Sequence, residues 1–249
     1  MSQSRNPILN FLVLLLVQQV AGQCWKNVTC NGPLVAAFPG LWDKSIYAPP
    51  ARTMSPPTVL SWPDLDASPF TGNTTLAGNG SLVTFDFGIE VGGIASLSFT
   101  SSGTGSLGVA FTEAKNYVGE WSDSSNGKFV GPDGALYADL STSPWTMPSS
   151  KLRGGFRYMT VFLMSNDSAS VVLEKASVTL DFQPTWPNLR AYQGYFSSDD
   201  ELLNRIWYAG AYTLQSNLVP VDTGRYVHCY LSFFNFFIAQ SCLLQRPNC

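Results

Sequence analysis

Between residues 81 and 182, apolar and polar side chains alternate with a period of two, the signature of strands with one face on a core. Val83, Phe85 and Phe87 alternate with Leu82, Thr84 and Asp86; Ala95, Leu97 and Phe99 alternate with Ser96, Ser98 and Thr100. Leu107, Val109 and Phe111 alternate with Gly108, Ala110 and Thr112, and Val178, Leu180 and Phe182 with Ser177, Thr179 and Asp181. The run from Phe156 to Leu163 is apolar at nearly every position, which predicts a central strand. Gly92-Gly93, Gly103 to Gly105, Asn126-Gly127, Pro132-Asp133-Gly134 and Gly154-Gly155 supply turns between these runs. Short strands with frequent turns predict an all-β sandwich or jelly roll.

The pattern changes on either side of this block. Upstream, Pro49-Pro50, Pro56-Pro57, Pro63 and Pro69 rule out helix and predict extended segments and turns. Trp42, Tyr47 and Trp62 are the side chains expected to pack that segment onto the sandwich. Downstream, Pro184, Pro187 and intervening polar residues read as a linker. The period then becomes helical: Leu202, Leu203, Ile206, Trp207, Gly210, Ala211 and Leu214 lie on one stripe. Ser198 and Glu201 have the spacing of a capping box, with Asp199 and Asp200 placed against the helix dipole. These features predict one amphipathic helix over about 199–216. A lone helix cannot bury its own stripe, so partner helices are expected.

The two ends of the chain bear on its location. Arg5, the apolar run centred on Leu12 to Val17, and the small residues of Val20-Ala21-Gly22 form a secretion signal, with Gln23 as the expected mature start. Four sequons follow, at Asn27, Asn73, Asn79 and Asn166, each an expected N-glycosylation site on an exposed loop or strand edge. A secreted, extracellular protein is expected. Five cysteines sit at the extremes; Cys24 and Cys30, close in sequence and in an oxidising compartment, are expected to pair. Tyr226 to Leu244 is apolar and aromatic, interrupted by His228, Asn235 and Gln240 and without a clean helical stripe. The chain therefore divides into a signal peptide (1–22), a proline- and aromatic-rich segment (23–75), the sandwich (76–183), a linker (184–197), a helical start (198–225) and an apolar tail (226–249).

Composition narrows the chemistry. The net charge is −3 and no basic patch occurs, so nucleic acid is not an expected partner. Gly103-Thr104-Gly105-Ser106-Leu107-Gly108 fits G-x-G-x-x-G, but Val109 to Phe111 continue a strand where a dinucleotide site needs a helix, so the glycine-rich turn is the better reading. His228 is the only histidine and G-x-S-x-G is absent, which removes a Ser-His-Asp triad. Clustered His and Cys ligands for zinc are missing, and the loop Asp123 to Asn126 offers calcium no defined ligand set. No cofactor is expected. Trp121, Trp145 and Trp186 lie in turn-rich stretches where a sugar ring could stack, although packing is the commoner fate of a tryptophan.

Several segments resemble glycoside hydrolase family 78, the α-L-rhamnosidases, in its secreted fungal form. Phe85 to Ile94 is similar to the family's first strand-turn-strand, Phe111-Thr112-Glu113-Ala114 with Tyr117-Val118-Gly119 to a following segment, and Arg153-Gly154-Gly155-Phe156-Arg157-Tyr158 to its "RGGFRY" turn. The string Gly194 to Gln215 resembles the first helix of the family's six-hairpin (α/α) barrel, and Val219 to Arg225 continues the likeness. The resemblance spans roughly 55–225 and implies inverting hydrolysis of terminal rhamnosides by a parent enzyme, with rhamnose-containing plant glycosides or pectic polysaccharides as carbohydrate partners. Inversion needs two carboxyls about 6.5 to 9.5 Å apart. The resemblance places both beyond the first barrel helix, so no catalytic residue is assigned to this chain, which is itself expected to be inactive.

Asp199, Asp200 and Glu201 are read as helix-capping residues, and Asp222 with Arg225 as a loop ion pair. The likeness stops at Tyr226, and the tail beyond it is expected not to belong to the fold. The alternatives are a non-catalytic extracellular carbohydrate-binding or surface module, and a secretory protein tethered through an apolar C-terminal segment; a membrane partner is the less expected of these.

Overall fold

The computed structural model describes residues 31–123, 134–152, 154–166 and 168–218. Among them eleven strands, every pair antiparallel, form two sheets. In one, β1 (Thr53–Met54), β11 (Ser170–Leu180), β6 (Gly93–Ser102) and β9 (Trp145–Thr146) lie in that order, and β4 (Thr74–Ala77) also pairs with β11. In the other the order is β3 (Asp66–Pro69), β2 (Thr58–Ser61), β5 (Leu82–Val91), β10 (Phe156–Met164), β7 (Ser106–Thr112) and β8 (Leu136–Asp139). One α-helix among the described residues, α1 (Glu201–Ser216), follows. The architecture is the all-β sandwich followed by one amphipathic helix that the periodicity predicts.

The core is built from the alternating residues. Ala95, Leu97 and Phe99 on β6 face Val83, Phe85 and Phe87 on β5, and Leu107, Val109 and Phe111 on β7, all buried. Burying a side chain of this size contributes about 1.5 to 3 kcal/mol. The run at β10 sits between β5 and β7 and is covered on both faces, as a central strand should be. Its outward side chains are accommodated individually. Thr160 Oγ1 and Thr84 Oγ1 hydrogen-bond at 2.8 Å, and Tyr158 packs with Leu60 and Val118.

A bulge rescues the pattern of β11. Val171 and Leu173 are buried, then Ala176, Val178 and Leu180. The switch from odd to even positions coincides with a register shift against β6 between Leu173 and Lys175. An extra residue there keeps the apolar set on the core face; without it, half the strand would turn its apolar side to solvent. The G-x-G-x-x-G stretch is the β6–β7 turn: Gly103 has φ 83, and β7 rather than a helix follows. Left-handed φ favours glycine there.

The segment before the sandwich is held by arginine. Arg52 Nη1 donates to the carbonyls of Leu180 and Phe182, and Nη2 to those of Gln183 and Trp186, at 2.7 to 3.2 Å. Arg190 Nη1 donates to Ile46 O and Ala48 O, and Nη2 to Asp43 O, at 2.6 to 2.8 Å. Together the forks gather carbonyls from the end of β11 and from irregular backbone, two of which, Gln183 O and Asp43 O, also accept backbone N–H groups. Of the three aromatics expected to pack this segment, Trp42 and Tyr47 lie against the core cluster. Trp62 does not; it is 51% exposed just past β2.

Candidate docking site

Helix α1 begins at Asp200, not at a capping box of Ser198 and Glu201. Asp200 Oδ1 accepts hydrogen bonds from the backbone N–H groups of Leu202 and Leu203 at 2.8 and 3.3 Å. Ser198 is engaged elsewhere: its Oγ donates to Asp200 O, and its N–H donates to Asn204 Oδ1. Three candidate caps lie within four residues, and the carboxylate nearest the first turn takes the role.

The side of α1 that docks onto the rest of the chain joins two tyrosine rings of the core cluster, Tyr208 and Tyr212, to a set of hydrogen-bonding groups. The buried residues are Asn204, Tyr208, Tyr212, Gln215 and Ser216. Tyr212 Oη donates to Glu90 O at 2.6 Å. Ser216 Oγ and Asn217 Nδ2 both donate to Glu90 Oε1, at 3.0 and 3.2 Å, and Gly155 N donates to Asn217 Oδ1 at 3.2 Å. Tyr192 Oη donates to Gln215 Oε1, and Gln215 Nε2 donates to Gln183 Oε1 and Leu189 O. Burial pushes the Tyr192 hydroxyl up to about 12 and raises those of Tyr208 and Tyr212. These phenols therefore stay protonated and donate at any physiological pH.

The glycine turns make this contact possible. A Cβ on Gly92 would run into the backbone carbonyl of Ser216, and one on Gly155 into the Glu90 carboxylate. Two of the motifs quoted for the resemblance, Phe85 to Ile94 and the described part, Gly154 to Tyr158, of the Arg153 to Tyr158 turn, meet here. Arg157 grips Asp86 with two hydrogen bonds, at 2.8 and 3.0 Å, and holds its carboxyl below the usual range against the opposing effect of burial.

The opposite side of α1 is apolar and open among the described residues. Leu202 is 62% exposed and Leu214 74%, with Leu203, Ile206 and Trp207 also exposed. Phe196 stacks on this stripe, nearly parallel to Trp207 at 5.9 Å. Leu41, Phe38 and Tyr195 add exposed apolar surface where the 3-10 turn Leu41–Ser45 meets α1, with Tyr195 stacked on Trp42 at 4.3 Å and Lys44 paired to Glu201 at 3.6 Å. Among the described residues nothing else covers this stripe, and contiguous exposed apolar surface is the usual mark of an interaction surface.

Other predicted positions fall as follows. Asp200 caps α1, whereas Asp199 and Glu201 accompany it without capping bonds. Trp145 is buried on β9 beside β6, and Trp186 is partly buried against the core; Trp121 is 52% exposed. Asn73, Asn79 and Asn166 are exposed. Asn27, Cys24, Cys30, Asn126, Asp222, Arg225 and His228 lie outside the described residues. Among the described residues no group of three or more His, Cys, Asp or Glu could hold a metal, and no helix is long and apolar enough to cross a membrane. Among the described residues that line it, a cleft of about 250 Å³ between Phe111, Leu136 and Lys151 has no carboxylate.

No protein-family model matches the chain, and no curated protein matches it. Among solved structures, a rhamnosidase from Klebsiella oxytoca with rhamnose bound is similar at TM-score 0.46 and 17% identity, over 66% of this chain and 34% of that one. The CBM32 of AlyQ in complex with 4,5-unsaturated mannuronic acid is similar at TM-score 0.29 and 12% identity, over 41% of this chain and 74% of its own. The match thus spans about a third of the rhamnosidase.

Proposed function

We propose that this chain corresponds to the non-catalytic front part of a secreted α-L-rhamnosidase-like glycoside hydrolase, in which α1 is the first helix of a helical catalytic domain. The observation that carries the reading is the division of α1 into two faces: a hydrogen-bonded tyrosine and amide face on the sandwich, and an apolar stripe that the described residues leave open. A helix that only decorated a sandwich would put its leucines inward. One that bridges two bodies needs a seat on each. The likeness of Gly194 to Gln215 to a first barrel helix gives the second body its class. In this reading residues 31–218 position and seal, and the carboxyl pair for hydrolysis belongs to the helical domain. The proposed substrates are terminal rhamnosides of plant glycosides or pectic polysaccharides.

Substituting the stripe tests this. L202K with I206E and L214K in the full chain is expected to leave far-UV circular dichroism and the urea midpoint unchanged while reducing self-association in sedimentation. Were the stripe packed inside the chain, the same changes would cost at least about 2 to 5 kcal/mol at each position. A midpoint shift of that size would sink the reading. Purified chain is expected to show no turnover of an aryl rhamnoside, and turnover would contradict the assignment of chemistry to a second domain. A carbohydrate-binding module is the second reading, favoured by Tyr117 and Trp121, both exposed on the segment after β7. Retention on immobilised pectic polysaccharide, lost in W121A, would support it.

A further inference from the structure

A sheet edge presents unpaired N–H and C=O groups to any passing strand, and proteins guard such edges with short strands, charges or proline. Four of the five described edge strands follow this rule. β1 and β9 are two residues long, β3 contains Asp66 and Pro69, and β8 ends in Asp139. The exception is β4, Thr74-Thr75-Leu76-Ala77, which pairs among the described strands with β11 alone and carries neither charge nor proline. It is instead bracketed by two sequons, Asn73-Thr74-Thr75 at its start and Asn79-Gly80-Ser81 just past its end.

Both asparagines are exposed and held in defined poses. Asn73 sits at φ 59, in the left-handed region that asparagine tolerates. Asn79 Oδ1 accepts from Ser165 N at 3.0 Å, while Gly80 N donates to Leu163 O at 2.8 Å, so its turn is stitched to the end of β10. With Oδ1 committed inward, Nδ2 is left as the reactive end of the carboxamide. These two backbone roles would be filled equally by aspartate. What they do not need is a hydroxyl two residues on, and at Thr75 that hydroxyl belongs to an exposed strand residue. The Ser81 Oγ also donates to Gly78 O at 2.8 Å, so its presence has a structural reason as well.

We propose that Asn73 and Asn79 both carry N-glycans, and that the pair covers the open edge of β4 in place of a charged or proline guard. The inference rests on the secretory part of the functional reading. In each transfer the bond from asparagine Nδ2 to sugar C1 forms as the sugar–phosphate bond of a lipid-diphosphate oligosaccharide donor breaks. The lipid diphosphate leaves, and Nδ2 gives up one of its two protons. The amide keeps Oδ1, so the hydrogen bond from Ser165 survives modification. A four-residue strand is about 13 Å long, so two glycans at its ends overhang the whole edge.

The test is a glycopeptide map of the full chain secreted from a glycosylating host, with its own leader and, in parallel, behind a host leader. Glycans at Asn73 and Asn79 are expected. Modification behind the host leader alone supports the sites while overturning the secretory reading; a secreted product bare at either position overturns the inference. The shielding role is read with N73D/N79D, which keeps the left-handed tolerance and the acceptor oxygen while removing both attachment atoms. Its added charges oppose association. It is nevertheless expected to form dye-binding β-rich aggregates several-fold faster than the glycosylated protein, a signal that helix-face association does not give. Equal rates in the two proteins would overturn the shielding.

Discussion

Asp181 gives the sharpest prediction. It lies one residue beyond β11, in the corner that Arg52 clamps, with Oδ2 buried and without a hydrogen-bond partner. Burial pushes its carboxyl from the ordinary 3.8 to about 6, and the Arg52 charge only partly opposes this. A carboxyl that binds its proton more tightly when folded stabilises the fold while protonated. The contribution is fully present below 3.8 and is lost as pH rises through about 6. At about 1.36 kcal/mol for each tenfold gain in proton affinity, the whole effect is about 3 kcal/mol, and about 2 to 2.5 kcal/mol of it falls between about pH 4 and pH 8. The perturbation is D181N, which removes the titration and keeps the shape. Urea melts of both proteins across that range, followed by tryptophan fluorescence, give the difference in unfolding free energy, in which the other titrating groups cancel. The wild type is expected to lose stability relative to D181N as pH rises. A difference that stays flat, or one that moves in the wild type's favour with pH, would refute the reasoning.

Three further changes probe the joint and the motif pair. G92A sets a methyl against the Ser216 carbonyl and is expected to cost about 1 to 3 kcal/mol, with hydrogen exchange rising across the last turns of α1. Y212F leaves Glu90 O without its 2.6 Å donor and is expected to cost about 1 to 2 kcal/mol in urea melts. The Arg157 side chain of the Asp86–Arg157 pair is 41% exposed, so a double-mutant cycle with D86N and R157M is expected to give about 1 kcal/mol of coupling. Because the Asp86 carboxyl is held low, that coupling is present above its ordinary pKa and disappears as the pH falls below it.

The sequence disclosed the sandwich because its strands bury one face and the period of two survives in β5, β6 and β7. It disclosed only half of β11, since the bulge after Leu173 inverts the parity and splits one strand into two weak patterns. The edge strands β1, β4, β8 and β9 were hidden for another reason. Two to four residues cannot establish a period, and these lie among prolines and turns. Trp62 shows the limit of reading aromatics as packing residues, for the segment around it is fixed by backbone pairing of β2 with β3 and β5. The arginine clamps left no periodic trace at all. Arg52 and Arg190 are single cations in a chain of low charge, and only the folded backbone shows that each faces three or four carbonyls.

The helix shows most clearly what pattern alone omits. Its stripe of leucines predicts partner helices, and among the described residues the sandwich leaves that stripe open. The sandwich core is closed by its two sheets and takes from α1 only the rings of Tyr208 and Tyr212, with Phe182 edge-on to Tyr212 at 6.2 Å, so the leucines find no seat there. What its helix-facing end does offer is polar: the carbonyl and carboxylate of Glu90, the N–H of Gly155, the amide of Gln183 and the carbonyl of Leu189. Leaving such groups buried and unpaired costs about 1 to 3 kcal/mol each. Tyr212, Ser216, Asn217 and Gln215 are the side chains that can satisfy them, so this face goes inward and the leucines stay outside. The same choice that satisfies the sandwich keeps the apolar stripe of α1 available for a second body.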